Sequence, residues 1–293
     1  MDIIAILIGL GPLLGWGLFP TIASKFGGRP VNQIFGATVG TLIFALGFAF
    51  IQGIDFPTGM NLIFSLISGV GWGFGQIITF KAFGLVGSSR AMPITTAFQL
   101  LGASLWGVFA LGDWPGLTNK IIGFTALLVV LIGAYMTVWS EKSEQQYSKK
   151  LRNAVILLLI GEIGYWAYSA APQATNISGM EAFLPQAMGM VLAAVIYAFM
   201  NMKQGNAFLE KVSWKQIISG LFFAFGALTY LISAQSDMNG LATGFILSQT
   251  SVVLATLTGI YFLNQRKTPK ELIVTIIGLV IILIAAAVTV FIK

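Results

Sequence analysis

A chain of 293 residues that is 57% hydrophobic and only 9% charged does not read as a soluble domain, in which about 25% of residues are charged. Its net charge of +6 comes from Lys and Arg spread over several loops, which argues against the single basic patch that a nucleic-acid partner needs. With no cysteine and no histidine, disulfides, thiol chemistry, the commonest metal ligands and the usual proton shuttle are all removed, so neither a cofactor nor a metal site is expected.

A membrane helix needs about 20 mainly apolar residues, and such stretches follow one another with short polar breaks. The lipid bilayer is therefore the expected solvent, and the 34 glycines suit helices that approach each other closely there. Asp2 runs straight into apolar residues with no basic segment before them, which reads as a retained first helix and not a cleaved signal. In chain order the expected spans are Ile3 to Ile22, Val31 to Gln52, Asn61 to Leu85, Ala91 to Leu111, Lys120 to Trp139, Asn153 to Pro172, Gly179 to Met200, Trp214 to Gln235, Gly240 to Leu263 and Glu271 to Ile292. The fold class is all-α integral membrane with ten transmembrane helices.

Alternate loops carry very different charge. One side holds Lys25, Arg29, Arg90, Lys142, Lys149, Lys150, Arg152, Lys203, Lys211, Lys215, Arg266, Lys267 and Lys270, whereas the other holds Lys120 and Lys293. The positive-inside rule makes the first side cytoplasmic and both termini extracellular. Lys81, near the cytoplasmic end of the third span, reads as a snorkelling side chain.

The polar stretch 140–152 falls mid-chain and reads as a cytoplasmic linker between 1–139 and 153–293. The two halves match weakly at a separation of about 150 to 155 positions. Gly15, Trp16, Gly17 align with Tyr165, Trp166, Ala167, and Gln33, Gly36 with Gln186, Gly189. Ser68, Gly69, Phe74, Gly75 align with Ser219, Gly220, Phe225, Gly226; Gln99 with Gln249; and Ile122, Gly123 with Ile277, Gly278. Five helices per half start the second half on the opposite face, giving two inverted five-helix repeats, an arrangement that secondary transporters use to alternate access.

Polar groups within apolar spans cost free energy, so they mark where a solute would pass. Glu162 is the acidic residue well inside a span, and three readings stand beside one another: proton coupling, solute binding, or a structural carboxyl. Gln76, Gln99, Gln186 and Gln249 both donate and accept hydrogen bonds and suit a neutral polyhydroxylated solute. Thr79, Thr95, Thr96, Ser248, Thr250 and Ser251 read mainly as structural, bonded to carbonyls of the preceding turn. A sugar ring can also stack on aromatic faces, for which Trp16, Tyr165 and Trp166 are the candidates among buried aromatics that otherwise pack. Trp139 and Trp214 look interfacial. Pro12 and Pro93 are interior and should disturb their helices, whereas Pro20, Pro172 and Pro185 read as helix boundaries.

The run Ser89-Arg90-Ala91-Met92-Pro93-Ile94-Thr95-Thr96-Ala97-Phe98-Gln99 through Gly107, with Gly112-Asp113-Trp114, and the opening Gly11-Pro12-Leu13-Leu14-Gly15-Trp16-Gly17 resemble the bacterial glucose/ribose porter family. The likeness extends over the whole chain and is strongest to glucose uptake proteins of Gram-positive bacteria. It implies the drug/metabolite transporter superfamily and uptake of a neutral monosaccharide, glucose first and ribose next, by proton symport across the plasma membrane. The partners are then a small-molecule sugar, a proton and the bilayer, with a homodimer also compatible. An exporter of drugs or metabolites on the same fold is the rival reading. An enzyme would need a nucleophile, a metal cluster or an acid/base pair, none of which is visible.

Overall fold

The structure, a computed structural model, describes residues 3–106, 108–109, 114–141, 145–175, 177–233, 238 and 247–291, and every regular element among them is helical. The helices are α1 (Ile3–Gly9), α2 (Gly11–Phe26), α3 (Pro30–Gln52), α4 (Gly59–Val86), α5 (Ser88–Trp106), α6 (Leu117–Val138), α7 (Gln145–Ala170), α8 (Gly179–Met200), α9 (Lys211–Lys215), α10 (Ile217–Ser233), α11 (Ser251–Phe262) and α12 (Pro269–Phe291). Among the described residues, 8 helices are long and apolar enough to cross a membrane. The chain is a multi-pass membrane protein.

Two helices stand at the expected fourth and ninth positions without being among those 8. In α5 the residues Ser88, Ser89, Arg90, Thr95, Thr96 and Gln99 dilute the apolar run. The ninth is a shorter apolar helix, Leu247–Phe262.

Local chemistry explains where the helices depart from simple spans. Pro12 has no N–H and its ring cannot follow a carbonyl four residues back, so the first span breaks into α1 and α2, with Pro12 accommodated in the first turn of α2. Pro20 and Pro185, expected at boundaries, lie inside α2 and α8; neighbouring helices absorb the lost backbone bond in a bilayer. Pro93 is carried inside α5. Pro172 does mark a boundary, in the 3₁₀ turn Ala171–Ala174 that follows α7. That helix starts at Gln145, earlier than its apolar span, because Gln145, Gln146, Lys149 and Lys150 favour helix and extend it out of the lipid. A second break, at Gln216 between α9 and α10, is held by the side-chain amide, which donates to the carbonyls of Ala23 and Gly27 at 2.9 Å each.

α4 packs on α7 and α8, α10 on α2 and α3, α11 on α2, α3 on α8, α5 on α7 and α11, and α6 on α12. Glycines let backbones touch. A Cβ on Gly75 would stand 2.9 Å from the Gly161 carbonyl, and one on Gly164 would stand 2.8 Å from the Gly75 nitrogen. Gly15 likewise lies against the backbone of Gly226. The main core gathers Phe19, Trp72, Phe80, Tyr165, Phe183 and Phe223.

The basic loops are gathered at one end of the bundle. Arg29 pairs with Glu210, whose other oxygen accepts from Asn32 Nδ2 at 2.7 Å. These bonds outweigh desolvation and hold the Glu210 carboxyl below its usual range. At the same end the Gln265 side chain accepts from the Ser89 N–H at 2.9 Å, and Glu271 accepts from Ser140 Oγ at 2.7 Å.

Candidate functional site

The α4/α7 contact creates the candidate site. Because Gly71, Gly75, Gly161 and Gly164 bring the two backbones together, the side chains beside them are forced into one plane of contact. Tyr165 Oη donates to Gln76 Oε1 at 2.9 Å and lies 3.0 Å from Thr79 Oγ1, which itself donates to the Gly75 carbonyl at 3.0 Å. All three residues are buried. The expected pair of Tyr165 and Gln76 is thus in direct contact.

Glu162 stands one turn before Tyr165 and Trp166 on α7. It is 2% exposed, and the polar side chain that can reach its carboxylate is the indole of Trp166, which stops short of a well-formed hydrogen bond. Its position along α5 follows from its neighbours. Leu158, one turn earlier, shares a buried cluster with Ala91 and Ile94 of α5. Trp166, one turn later, lies with its indole nitrogen against Gly102 of α5. Glu162 therefore sits at the level between Ile94 and Gly102, the stretch that holds Thr95 and Gln99. Gln99 is exposed and donates to Thr95 Oγ1 at 3.3 Å. Trp166 is 44% exposed despite its contact with Gly102, so a polar and an aromatic group with free surface stand near a buried carboxyl.

The other candidates lie apart from this group. Trp16 belongs to an aromatic nest across the core: its indole donates to the Phe223 carbonyl at 3.2 Å and its ring lies 5.6 Å from that of Tyr230. Trp72 lies tilted against Phe223 with centroids 4.3 Å apart. Phe223 is the hub of these rings, and one Phe beside Phe222 and Phe225 in a Phe-rich chain carried no signal for it. Gln186 donates to Ser68 Oγ at 3.0 Å, and Ser68 donates to the Tyr168 carbonyl at 2.7 Å, which ties α8, α4 and α7 together. Gln249 is half-buried, and its amide donates to Ser248 Oγ at 3.3 Å. Lys81 places its ammonium 5.1 Å from the ring centroid of Tyr197, in keeping with a cation shielded at the rim. Among the described residues no cluster of His, Cys, Asp and Glu could hold a metal.

The family described as Sugar transport protein matches residues 7–292. The chain belongs to this family. Its relatives include proteins named "Putative ribose uptake protein RbsU" from Staphylococcus epidermidis (strain ATCC 12228 / FDA PCI 1200), 80% identical over 293 residues, and from Staphylococcus aureus (strain Mu50 / ATCC 700699), 76% identical over 293 residues; each alignment covers 100% of both chains. A solved crystal structure superposes with a TM-score of 0.64 over 99% of this chain and 99% of its own, at 16% identity, which is a likeness of fold alone. The family is one of sugar transporters and not of enzymes.

Proposed function

We propose that this protein takes up a neutral monosaccharide across the bacterial plasma membrane by alternating access, ribose in the first place and glucose in the second, with a proton moving alongside through Glu162. The observation that carries the substrate is full-length identity of 80% and 76% to relatives named for ribose uptake. That name puts ribose ahead of glucose, the reverse of the order that the motifs alone suggest.

The ten-helix, two-repeat reading with extracellular termini draws support from the packing. If α1–α2, α3, α4, α5 and α6 are exchanged for α7, α8, α9–α10, α11 and α12, the contacts map onto one another. α4 on α7 becomes α10 on α2, α4 on α8 becomes α10 on α3, and α5 on α7 becomes α11 on α2. The pairs α3 with α8, α5 with α11, and α6 with α12 map onto themselves. Two packings of this kind, exchanged between halves, are what a transporter needs to open first one face and then the other.

Glu162 supports coupling through its burial and through the lack of any paired cation among the described residues, with the Trp166 indole as the polar group beside it. A charged carboxylate without a paired cation is costly in such a place, so a proton belongs on it until water or a solute hydroxyl arrives. Gln99 and Thr95 of α5, at the same level, are then the groups that a sugar would engage with it, stacked on Trp166. Labelled ribose and glucose uptake into proteoliposomes, with and without an inward proton gradient, tests both parts. Gradient-driven accumulation of ribose in the parent, lost in Glu162→Gln while ribose exchange down its gradient persists, is the expected result. Absence of sugar flux of either kind would overturn the substrate; accumulation in Glu162→Gln equal to the parent would overturn the coupling.

A further inference from the structure

At the basic end of the bundle an apolar groove lies one helical turn from a cation that has no ion pair among the described residues. The groove lies between α5, α6 and α7, has a volume of about 170 Å³, and is lined by residues such as Ile94, Phe98, Leu131, Tyr135, Leu151 and Val155. Its lining is apolar side chains from all three helices, and it is half open. Arg90 is one helical turn beyond Ile94, and Tyr147 is one turn beyond Leu151. Tyr147 Oη donates to the Val138 carbonyl at 2.8 Å, and the Arg90 guanidinium lies 5.4 Å from the Tyr147 ring centroid. Arg90 is thereby held by Tyr147, one turn beyond the groove's lining residues on α5 and α7.

Among the described residues no ion pair balances the charge there. Arg90 Nε is buried and has no hydrogen-bond partner among the described residues. Lys267 comes in from the loop before α12 and donates to the Thr137 carbonyl. Burial, with the charge of Arg90 beside it, pushes the Lys267 ammonium down to about 8. Glu271 faces the two cations, but its oxygens are already taken by Ser140 Oγ, the Glu141 N–H and the Thr268 N–H. Among the described residues the ion pairs are Arg29 with Glu210 and Lys270 with Glu141, and neither Arg90 nor Lys267 belongs to one. Lys149, Lys150 and Arg152 add exposed positive charge on the adjoining turns of α7.

We infer that this groove and Arg90 together form a binding site for an anionic phospholipid, one acyl chain lying between α5, α6 and α7 and the headgroup phosphate resting on Arg90 with Lys267 behind it. The apolar half selects a lipid over free phosphate, since a soluble anion would leave the groove unfilled. Charge-assisted bonds to a phosphate oxygen supply the selectivity over a zwitterionic lipid, whose own cation offsets its phosphate. The site ties α5 to the α6 and α7 ends, so lipid there stiffens the helix that faces Glu162.

The test uses the full-length protein, purified in detergent and stripped of lipid, with thermal unfolding and native mass spectrometry as readouts. The probes are phosphatidylglycerol, phosphatidylcholine of the same chains, and glycerol phosphate. Phosphatidylglycerol should raise the unfolding temperature and stay bound in the gas phase, whereas the other two should do neither. Arg90→Gln should weaken phosphatidylglycerol binding about tenfold, the loss expected for one charged hydrogen bond. Val155→Phe, which fills the groove without touching the charge, should weaken it as well, and Lys149→Gln, exposed on the same end, should not. Equal stabilisation by phosphatidylcholine, equal stabilisation by glycerol phosphate, or undiminished binding in both Arg90→Gln and Val155→Phe would each overturn the proposal. If one of these variants fails to fold, the other, with the three probes on the parent, still decides.

Discussion

At the residue scale, the buried hydrogen bonds around Tyr165 give a direct measure of what holds α4 to α7. Tyr165→Phe keeps the ring but strands Gln76 Oε1 in a dry contact, which costs about 1–3 kcal/mol, while Thr79 Oγ1 keeps its bond to the Gly75 carbonyl. The expected outcome is a clearly lower unfolding temperature for Tyr165→Phe, largely restored when Gln76→Leu removes the stranded acceptor; additive losses in the double variant would mean that the bond contributes nothing. Lys267 offers a second check through pH. Its ammonium is held at about 8, below the ordinary lysine range, by burial first and by Arg90 second. Between about 8 and the unfolded lysine value of about 10.4 the unfolded chain binds more protons than the folded one, so stability rises with pH across that window. Below it the penalty is present in full. Lys267→Gln should flatten the rise in unfolding temperature over the same range, and a parallel rise in parent and variant would contradict the placement of Lys267.

At the scale of elements, the positions of the helices were legible because runs of apolar residues interrupted by polar loops are set by the bilayer thickness alone. If the halves are the repeats proposed above, what the residues could not disclose was the register between them. Pairing by identity put Gly36 with Gly189 and Trp16 with Trp166. The contacts favour other partners: Gly189 lies against the Leu66 carbonyl as Gly40 lies against that of Ile217, and Gly69 against that of Gln186 as Gly220 against that of Ala37. By the same logic Trp16, set against Gly226, corresponds to Tyr165, set against Gly75. One exchange even swaps size for size: Leu254 covers Gly17 on α2, whereas Trp166 on α7 covers Gly102. Complementary volumes are kept while identities drift, and a comparison of letters misses that. The glycine contacts make their own prediction. Gly164→Ala would press a methyl group onto the Gly71 and Gly75 backbones, which cannot yield, so folded protein recovered from membranes should fall severely. Gly84→Ala, in α4 with open space around it, should be neutral or stabilising by up to about 1 kcal/mol. Equal recovery of the two variants would count against the α4/α7 contact.

On the scale of the whole molecule, the candidate site was partly legible and partly not, for a reason rooted in topology. Glu162, Tyr165 and Gln76 announced themselves as polar or aromatic groups in apolar runs, and the fold brings Tyr165 and Gln76 together between α4 and α7 with Glu162 one turn away, toward α5; Trp16 and Gln186 announced themselves equally and sit elsewhere, because a neutral amide or indole can serve helix packing as well as a solute. Which role each has depends on how the two halves move. The described structure is tied at its basic end: Thr21 Oγ1 and Thr258 Oγ1 lie 2.6 Å apart between α2 and α11, and Gln265 holds the start of α5. If the halves exchange packings during transport, these ties between halves must part in the opposite state. The absence of native cysteine makes the experiment clean. In Thr21→Cys/Thr258→Cys, oxidation should join the two positions and abolish ribose uptake, reduction should restore it, and saturating sugar should slow the cross-linking by favouring the state in which the tie is open. Uptake that continues at the parent rate with the cross-link complete would show that α2 and α11 stay together throughout the cycle, and the movement would then have to be sought between α5 and α7, beside Glu162.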